Sequence, residues 1–361
     1  MDIKQLVCLD DFEARAKQLL PIQVWSYFSA GADNEETLRE NRMAYRRYWF
    51  KPRILRDVSV IDISCTLLGE RIAMPICIAP TALQGLAHTE GDMATCRAAA
   101  DSNTVMALSA SSSQYLERAT STRPSASIWQ TVCLWIPRHV TKDLVQQAEK
   151  AGCKAIILTL DVATAGFRRS ILRLGVPKTT GTLQEESESM ADKARKGTAF
   201  VAKVDDGSTW KDIEWIKTVT KLPIVLKGIL TVEDAILAAE HGVQGIVVSN
   251  HGGRQLDCVP ATIDVLSDIV DAVGDKLEVY VDGGIRTGTD VLKALALGAR
   301  AVFIGRPVLY GLACNGEEGV KSVLQILRDE FRRAMALTGC SKLSDVTKDL
   351  ITVSQSNGPK L

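Results

Sequence analysis

One of the chain's four histidines, His251, stands in S-N-H-G-G-R at residues 249–254, where an apolar run ends and paired glycines leave room around the ring. An imidazole placed there can take up and return a proton near neutral pH. Arg254 follows three residues later, and Arg168 and Arg169 lie just beyond the end of an earlier apolar run. A planar guanidinium fork on Arg168 or Arg254 suits the grip of a carboxylate. Asp161 closes that earlier run, where it can orient His251 and stabilise its protonated form. Lys227 closes a third run and reads equally as a solvated strand end or as a charge aimed into a shared mouth. No Cys–His or Ser–His–Asp arrangement stands out, and no metal-ligand spacing occurs.

Two further groups suit an anion. Asp282-Gly283-Gly284-Ile285-Arg286 and Gly305-Arg306 each follow an apolar run and precede a helical pattern. Glycines let backbone N–H groups approach a phosphate, and the next helix N-terminus adds positive potential. Arg286 and Arg306 would add charge-assisted bonds. The bland alternative is a pair of glycine turns with solvated arginines. The charge balance of the 361-residue chain, 43 basic against 43 acidic residues, argues against a nucleic-acid partner and against a polybasic membrane anchor. An apolar fraction of 46% with 24% charged residues is that of a soluble globular protein. The nine cysteines include no C-x-x-C pair, and Cys77 and Cys153 sit in apolar runs, which predicts reduced thiols in an intracellular compartment. The start, Met1-Asp2-Ile3-Lys4, does not read as a signal peptide. No apolar run reaches the roughly 18 residues of a membrane helix.

These residues need strands to present them. A near-repeat from Leu222 and from Leu277 supplies the unit: a β-branched run, glycine, T-x-x-D, then a helical pattern ending in glycine. Thr231 and Thr287 suit N-caps, Asp234 and Asp290 can complete capping boxes, and Gly242 and Gly298 suit helix C-termini. Continuous apolar runs without alternation mark buried parallel strands. Eight are predicted: Pro75–Pro80, Val105–Ser109, Ser127–Gln130, Ala155–Asp161, Pro223–Lys227, Gly245–Asn250, Leu277–Asp282 and Ala301–Gly305. Eight such units close into a (β/α)8 TIM barrel over 75–340, with an open doubly wound sheet as the alternative. Residues 1–60 read as N-terminal helices packed on it. Residues 170–210, after strand four, read as a flexible cover over the mouth or as disorder.

Together these motifs resemble the FMN-dependent α-hydroxy-acid oxidase family, the glycolate oxidase and 2-hydroxyacid oxidase group. S-N-H-G-G-R-Q-L-D at 249–257, D-G-G-I-R-T-G-T-D-V-L-K-A-L-A-L-G-A at 282–299 and F-I-G-R-P at 303–307 carry the resemblance. Y-F-S-A-G-A-D-N-E-E-T-L-R-E-N at 27–41 and P-I-C-I-A-P-T-A at 75–82 extend it over nearly the whole chain, as one domain of residues 1–361. The resemblance implies a TIM barrel that binds FMN, commonly as a homotetramer. It implies His251 as active-site base, Asp161 as its partner and Lys227 as the charge beside flavin N1 and O2. Arg168 and Arg254 become the grips on the substrate carboxylate, and Tyr27 a substrate contact. Pro80, Thr81, Ala82, Ser109, Gln130, Thr159 and Ser249 would hold the isoalloxazine and ribityl. Asp282, Gly283, Gly284, Arg286, Gly305 and Arg306 would hold the ribityl tail and phosphate. The implied reaction oxidises a 2-hydroxy acid to a 2-oxo acid, with O2 reduced to H2O2.

Two segments depart from the family pattern. Its Q-L-Y-V-Y stretch after strand three is W-Q-T-V-C-L-W at 129–135, which aligns its substrate-touching tyrosine with Val132 or Cys133. Its S-S-W-A-T-S-S is S-A-S-S-S-Q at 109–114, without the tryptophan, which implies a wider pocket. The flavin side is therefore expected intact and the substrate side altered. A catalytically impaired FMN-binding paralogue and a family dehydrogenase with another electron acceptor are the competing readings. The tail Pro359-Lys360-Leu361 resembles a peroxisomal S-K-L signal with proline in the first place; without it the expectation is cytoplasmic.

Overall fold

In the computed structural model, which describes residues 5–123, 126–175 and 203–353, eight parallel strands close into a barrel. They are β1 (Ile76–Ile78), β2 (Val105–Leu108), β3 (Ser127–Val132), β4 (Ala155–Thr159), β5 (Ile224–Ile229), β6 (Gly245–Val248), β7 (Glu278–Asp282) and β8 (Ala301–Ile304). Each pairs with the next, and β8 pairs with β1, so the closed TIM barrel stands and the open sheet does not. The predicted strands differ from these by a few residues at their ends.

The apolar runs lack alternation because both faces of every strand are buried. Inward side chains such as Cys77, Ala107, Trp129, Ile157, Val225, Tyr280 and Phe303 fill the barrel. Trp129, Tyr280 and Phe303 meet there at ring distances of 5.6–5.8 Å. Outward side chains such as Ile78, Leu108, Ile156, Leu226, Val248 and Val281 pack under the helices. A hairpin of Cys65–Leu67 and Glu70–Ile72 closes the lower end, where Leu67 and Ile72 join the interior cluster and the Leu68 N–H donates to Glu278. The barrel is therefore a solid core, and chemistry in this fold sits at the end where the strands stop.

Helix ends follow the expected capping in part. In α11 (Gly288–Ala296), Thr287 and Asp290 form the full capping box. In α9 (Val232–Glu240), Thr231 accepts from the Asp234 N–H, but Asp234 gives no return bond, so only half of the expected box forms. Gly242 and Gly298 take left-handed backbone after these helices. Among the described residues, no helix is long and apolar enough to cross a membrane. The cysteines are free thiols, with Cys77, Cys96, Cys153 and Cys340 buried.

The N-terminal segment forms α1 (Leu9–Leu19), α2 (Ile22–Ser29) and α3 (Glu36–Met43), then leaves helix: Tyr48–Phe50 pairs antiparallel with Ile351–Val353. Of the proposed cover at 170–210, residues 176–202 lie outside the described residues, as does the tail 359–361; of the flanks, Lys203–Val204 pairs with Trp135–Ile136. Helix α3 is tied to the barrel by loop six. Asp257 accepts the N–H groups of Asn34, Glu36 and Thr37, which caps the helix from a distant part of the chain. Asn41 and Asn250 exchange two side-chain bonds of 2.8 Å, both residues buried.

Asn41→Ala removes one of the two partners of each Asn250 amide atom in a dry site, leaving the Pro260 carbonyl and the Gly253 N–H. The expected cost is about 1–3 kcal/mol, read as a lowered denaturation midpoint with unchanged slope.

Candidate active site

The strand pitch decides which residues reach the mouth. Continuing the inward phase of each strand by two residues brings Thr81, Ser109, Thr131, Thr159, Lys227, Ser249, Asp282 and Gly305 to the open end. Gln130 departs from this inward phase. It shares its register row with Leu108 and Ile156, which face the helices, so it lies on the outer face and Thr131 takes the inner position. The same phase places Val132 in the outer core and Cys133 on the mouth side, within the field of Asp161 and Lys227.

A cavity of about 630 Å³ opens at this end. It is lined by Tyr27, Pro80, Thr81, Ala82, Arg168, Lys227, His251, Arg254, Asp282, Gly283, Gly284, Arg286, Gly305 and Arg306. Ser249 and Asp161 stand immediately behind it, each bonded to a lining residue. Thr159 is buried beside Lys227 in the register, and Ser109 bonds Ser111. The cavity also takes in Gly252 and Gln255, which the sequence reading left unassigned. Gln255 donates to the backbone oxygens of Asp161 and Thr164 and accepts from the Gly166 N–H. The quoted motif at 249–257 held that signal in its Q-L-D end.

Lys227 is buried and charged. Its Nζ donates to Ser249 Oγ at 3.0 Å and lies 3.6 Å from Asp282 Oδ2. Burial works to lower its pKa, but Asp282 and Asp161 outweigh that and hold it above the ordinary lysine value. Ser249 passes its own proton to Asp282 Oδ2 at 3.0 Å and accepts the His251 N–H at 3.1 Å.

His251 sits at φ +58°, followed by Gly252 at +62° and Gly253 at +72°. Left-handed backbone is costly for a residue with a side chain, and it turns the imidazole back over the barrel. A Cβ on Gly253 would meet the Leu38 backbone at 2.7 Å, so α3 requires glycine there. His251 Nδ1 meets Asp161 Oδ1 at 2.9 Å. Burial works to raise the Asp161 carboxyl, but Lys227 and His251 hold it below its usual range. An ionised carboxylate only accepts, so Nδ1 carries the proton and Nε2 is left as the basic nitrogen. Burial, then Lys227, pushes the imidazole below its ordinary value, against the pull of Asp161.

The guanidiniums divide their work. Arg254 donates to the carbonyls of Tyr27, Phe28 and Ala30 and stacks 5.3 Å from the Tyr27 ring. Arg306 donates to Phe28, Gly252 and Ala30, with each nitrogen engaged on a carbonyl. It therefore fastens the N-terminal segment to loop six and keeps one further N–H on each terminal nitrogen. Among the described residues, the Arg286 side chain donates to the Ile285 carbonyl and its buried Nε has no hydrogen-bond partner, with Glu13 at 3.9 Å. Gly305 precedes α12 (Arg306–Thr338, bent at Asn315–Gly316), whose N-terminus opens on the cavity with Pro307 in its first turn. Among the described residues, buried Gln130 Oε1, Thr131 Oγ1, Asp161 Oδ2 and Asp282 Oδ1 also lack partners, an unusual density of unmet polar atoms for one region. A polar ring system with an anionic tail matches that donor and acceptor set.

Residues 16–353 match the family model described as FMN-dependent dehydrogenase. The chain is 46% identical over 359 residues to human 2-Hydroxyacid oxidase 1, covering 97% of each chain. It is 48% identical over 349 residues to a peroxisomal (S)-2-hydroxyacid oxidase of Arabidopsis thaliana, covering 96% of each. It superposes on a crystal structure of mandelate oxidase with a TM-score of 0.88 at 39% identity, covering 96% of this chain and 98% of that one.

The charge network makes a signed prediction. Burial and Lys227 hold the His251 ring below the ordinary histidine value; Asp161→Asn lowers its pKa further, and Lys227→Met raises it. Ring-proton NMR against pH reads all three.

Proposed function

Since the chain belongs to the family of FMN-dependent dehydrogenases, we propose that it oxidises a 2-hydroxy acid to the 2-oxo acid, with O2 taken to H2O2. The observation that carries the reading is the His251–Asp161 pair at 2.9 Å beside a buried, charged Lys227. FMN, when bound, supplies the two-electron sink that O2 then empties. Arg286 and the N–H groups around Gly283, Gly284 and Gly305 suit its phosphate. Asp282, Ser249, Thr159 and Thr131 suit its polar edge and ribityl chain, as do Ser109 and the cavity-lining Pro80, Thr81 and Ala82.

On the substrate side, Arg168 and the outer donors of Arg254 are suited to the carboxylate, with Tyr27 beside them. His251 Nε2 takes the proton that the substrate must lose. Asp161 then faces an imidazolium and stabilises it, which is the usual service of a carboxylate to a catalytic histidine. Lys227 contributes fixed positive charge at the barrel end, where negative charge develops during the reaction. Removal of water by the walls of the cavity strengthens each of these interactions. Self-association as a homotetramer and a peroxisomal setting belong to the same proposal.

One observation favours slow turnover as a second reading. Cys133 stands on the mouth side where the family pattern offers a phenol, and burial pushes its thiol up to about 11. A neutral thiol is a weak hydrogen-bond donor.

The test is anaerobic addition of glycolate, lactate and medium-chain 2-hydroxy acids to the FMN-loaded protein. Bleaching of the visible flavin band, followed by H2O2 release on admitting air, is expected; no bleaching by any of them overturns the reading. The free-enzyme kcat/KM falls as pH drops through a value below 6.5, because protonated His251 is no longer a base. Asp161→Asn loses about 10²–10⁴ in kcat/KM.

A further inference from the structure

Gln84 lines no wall of the main cavity, yet it is fully buried and both ends of its amide are engaged. Its Nε2 donates to Thr81 Oγ1 at 3.0 Å and lies 3.4 Å from the Thr81 carbonyl oxygen. A carbonyl only accepts, so the amide nitrogen faces Thr81 and Oε1 faces Thr95. Thr95, buried in α4 (Gly91–Asp101), donates its hydroxyl to that Oε1 at 2.6 Å. The direction of donation is thereby fixed, from Thr95 to Gln84 to Thr81.

The backbone holds this relay in place. Leu83 takes φ +58°, left-handed backbone that is costly for a residue with a side chain, and opens the tight turn Gln84–Leu86. The Gln84 carbonyl accepts the N–H groups of Ala87 and His88. A Cβ on Gly91, the first residue of α4, would meet the Gly85 backbone nitrogen at 2.9 Å, so the turn and the helix are in direct contact.

We propose that Gln84 is a positioning residue for the flavin: it fixes the Thr81 hydroxyl as a hydrogen-bond donor toward the acceptor edge of FMN. The inference rests on FMN occupying the main cavity. A hydroxyl has one proton. Thr81 Oγ1 accepts from Gln84, so its own proton points elsewhere, and none of the described residues accepts it. Thr81 lines the cavity, and its methyl group packs toward Gly305, where a Cβ would meet Thr81 Cγ2 at 3.6 Å. With those two sides taken, the cavity is the direction left to the proton. A donor of this kind binds the reduced ring, which carries more negative charge, better than the oxidised ring. Gln84 thus acts on the reduction equilibrium through Thr81, without itself touching the cofactor.

The test reads the two-electron midpoint potential of the FMN-loaded protein by dithionite titration against a reference dye, so no substrate enters. Gln84→Met keeps the length of the side chain and removes the amide. The ratio of affinities for reduced over oxidised FMN is expected to fall about two- to tenfold, a shift of at most about 30 mV to the negative. Thr81→Val should give a similar fall, and Gln84→Met added to it no further shift. Thr81→Ser, which restores the hydroxyl, should keep the wild-type potential. Thr95→Val leaves the cavity wall untouched and should shift the potential the same way by less. It takes the place of Gln84→Met in the comparison with Thr81→Val should the Gln84→Met protein lose its FMN. An unshifted potential in a flavin-loaded Gln84→Met protein overturns the proposal. A shift that persists undiminished on the Thr81→Val background also overturns it, because that marks mere packing of the turn. Unshifted potentials in a protein that a 2-hydroxy acid still bleaches remove the role of Gln84 and leave the oxidase reading standing. Shifted potentials with no bleaching do the reverse.

Discussion

A single buried ammonium governs the site. Lys227 is buried at the barrel end, and its charge is held by Ser249, Asp282 and Asp161. Breaking such a cluster by removing one partner typically costs about 3–5 kcal/mol. The same cation holds Asp161 ionised and depresses the His251 imidazole, so one charge sets the protonation state of both members of the proton-handling pair. Four neighbouring strand ends, β4, β5, β6 and β7, each contribute one member of that cluster: Asp161, Lys227, Ser249 and Asp282.

Loop six converts this electrostatic centre into geometry. Ser249 joins the lysine cluster, Asn250 grips Asn41, and His251 reaches Asp161. Gly252 offers its carbonyl to Arg306, Gly253 abuts α3, and Arg254 holds the carbonyls of the segment after α2. Gln255 ties the end of strand four, and Asp257 caps α3. Nearly every residue of the nine has a separate partner. The left-handed turn at His251 is maintained by contacts on both sides, which is how a strained residue persists.

The barrel was legible in the sequence because buried parallel strands are long in apolar residues and their glycine-bounded helices repeat. The catalytic histidine and its cation were legible for a related reason: a charged residue at the end of an apolar run has few places to point. In strand three the inward-facing residue was not legible. Gln130 and Thr131 are both polar within an apolar run, and periodicity carries no absolute phase; only pairing with Leu108 and Ile156 showed which face Gln130 takes. Arg306 was legible as a mouth residue but not as a clamp, because its acceptors are backbone carbonyls from residues 28, 30 and 252. Main-chain acceptors leave no trace in side-chain identity. The Asn41–Asn250 exchange was hidden for the complementary reason, since two asparagines 209 residues apart carry no mark of contact.

That long-range exchange bears on how the molecule is made. The segment ending at α3 leaves the ribosome first, yet the groups that satisfy its helix start and its amides belong to loop six. At roughly 5–20 residues per second of synthesis, the interval between Asn41 and Asn250 is on the order of 10–40 s. For that time the early helices carry unmatched polar groups and an uncovered apolar face, which is the condition that recruits holding chaperones to a nascent chain.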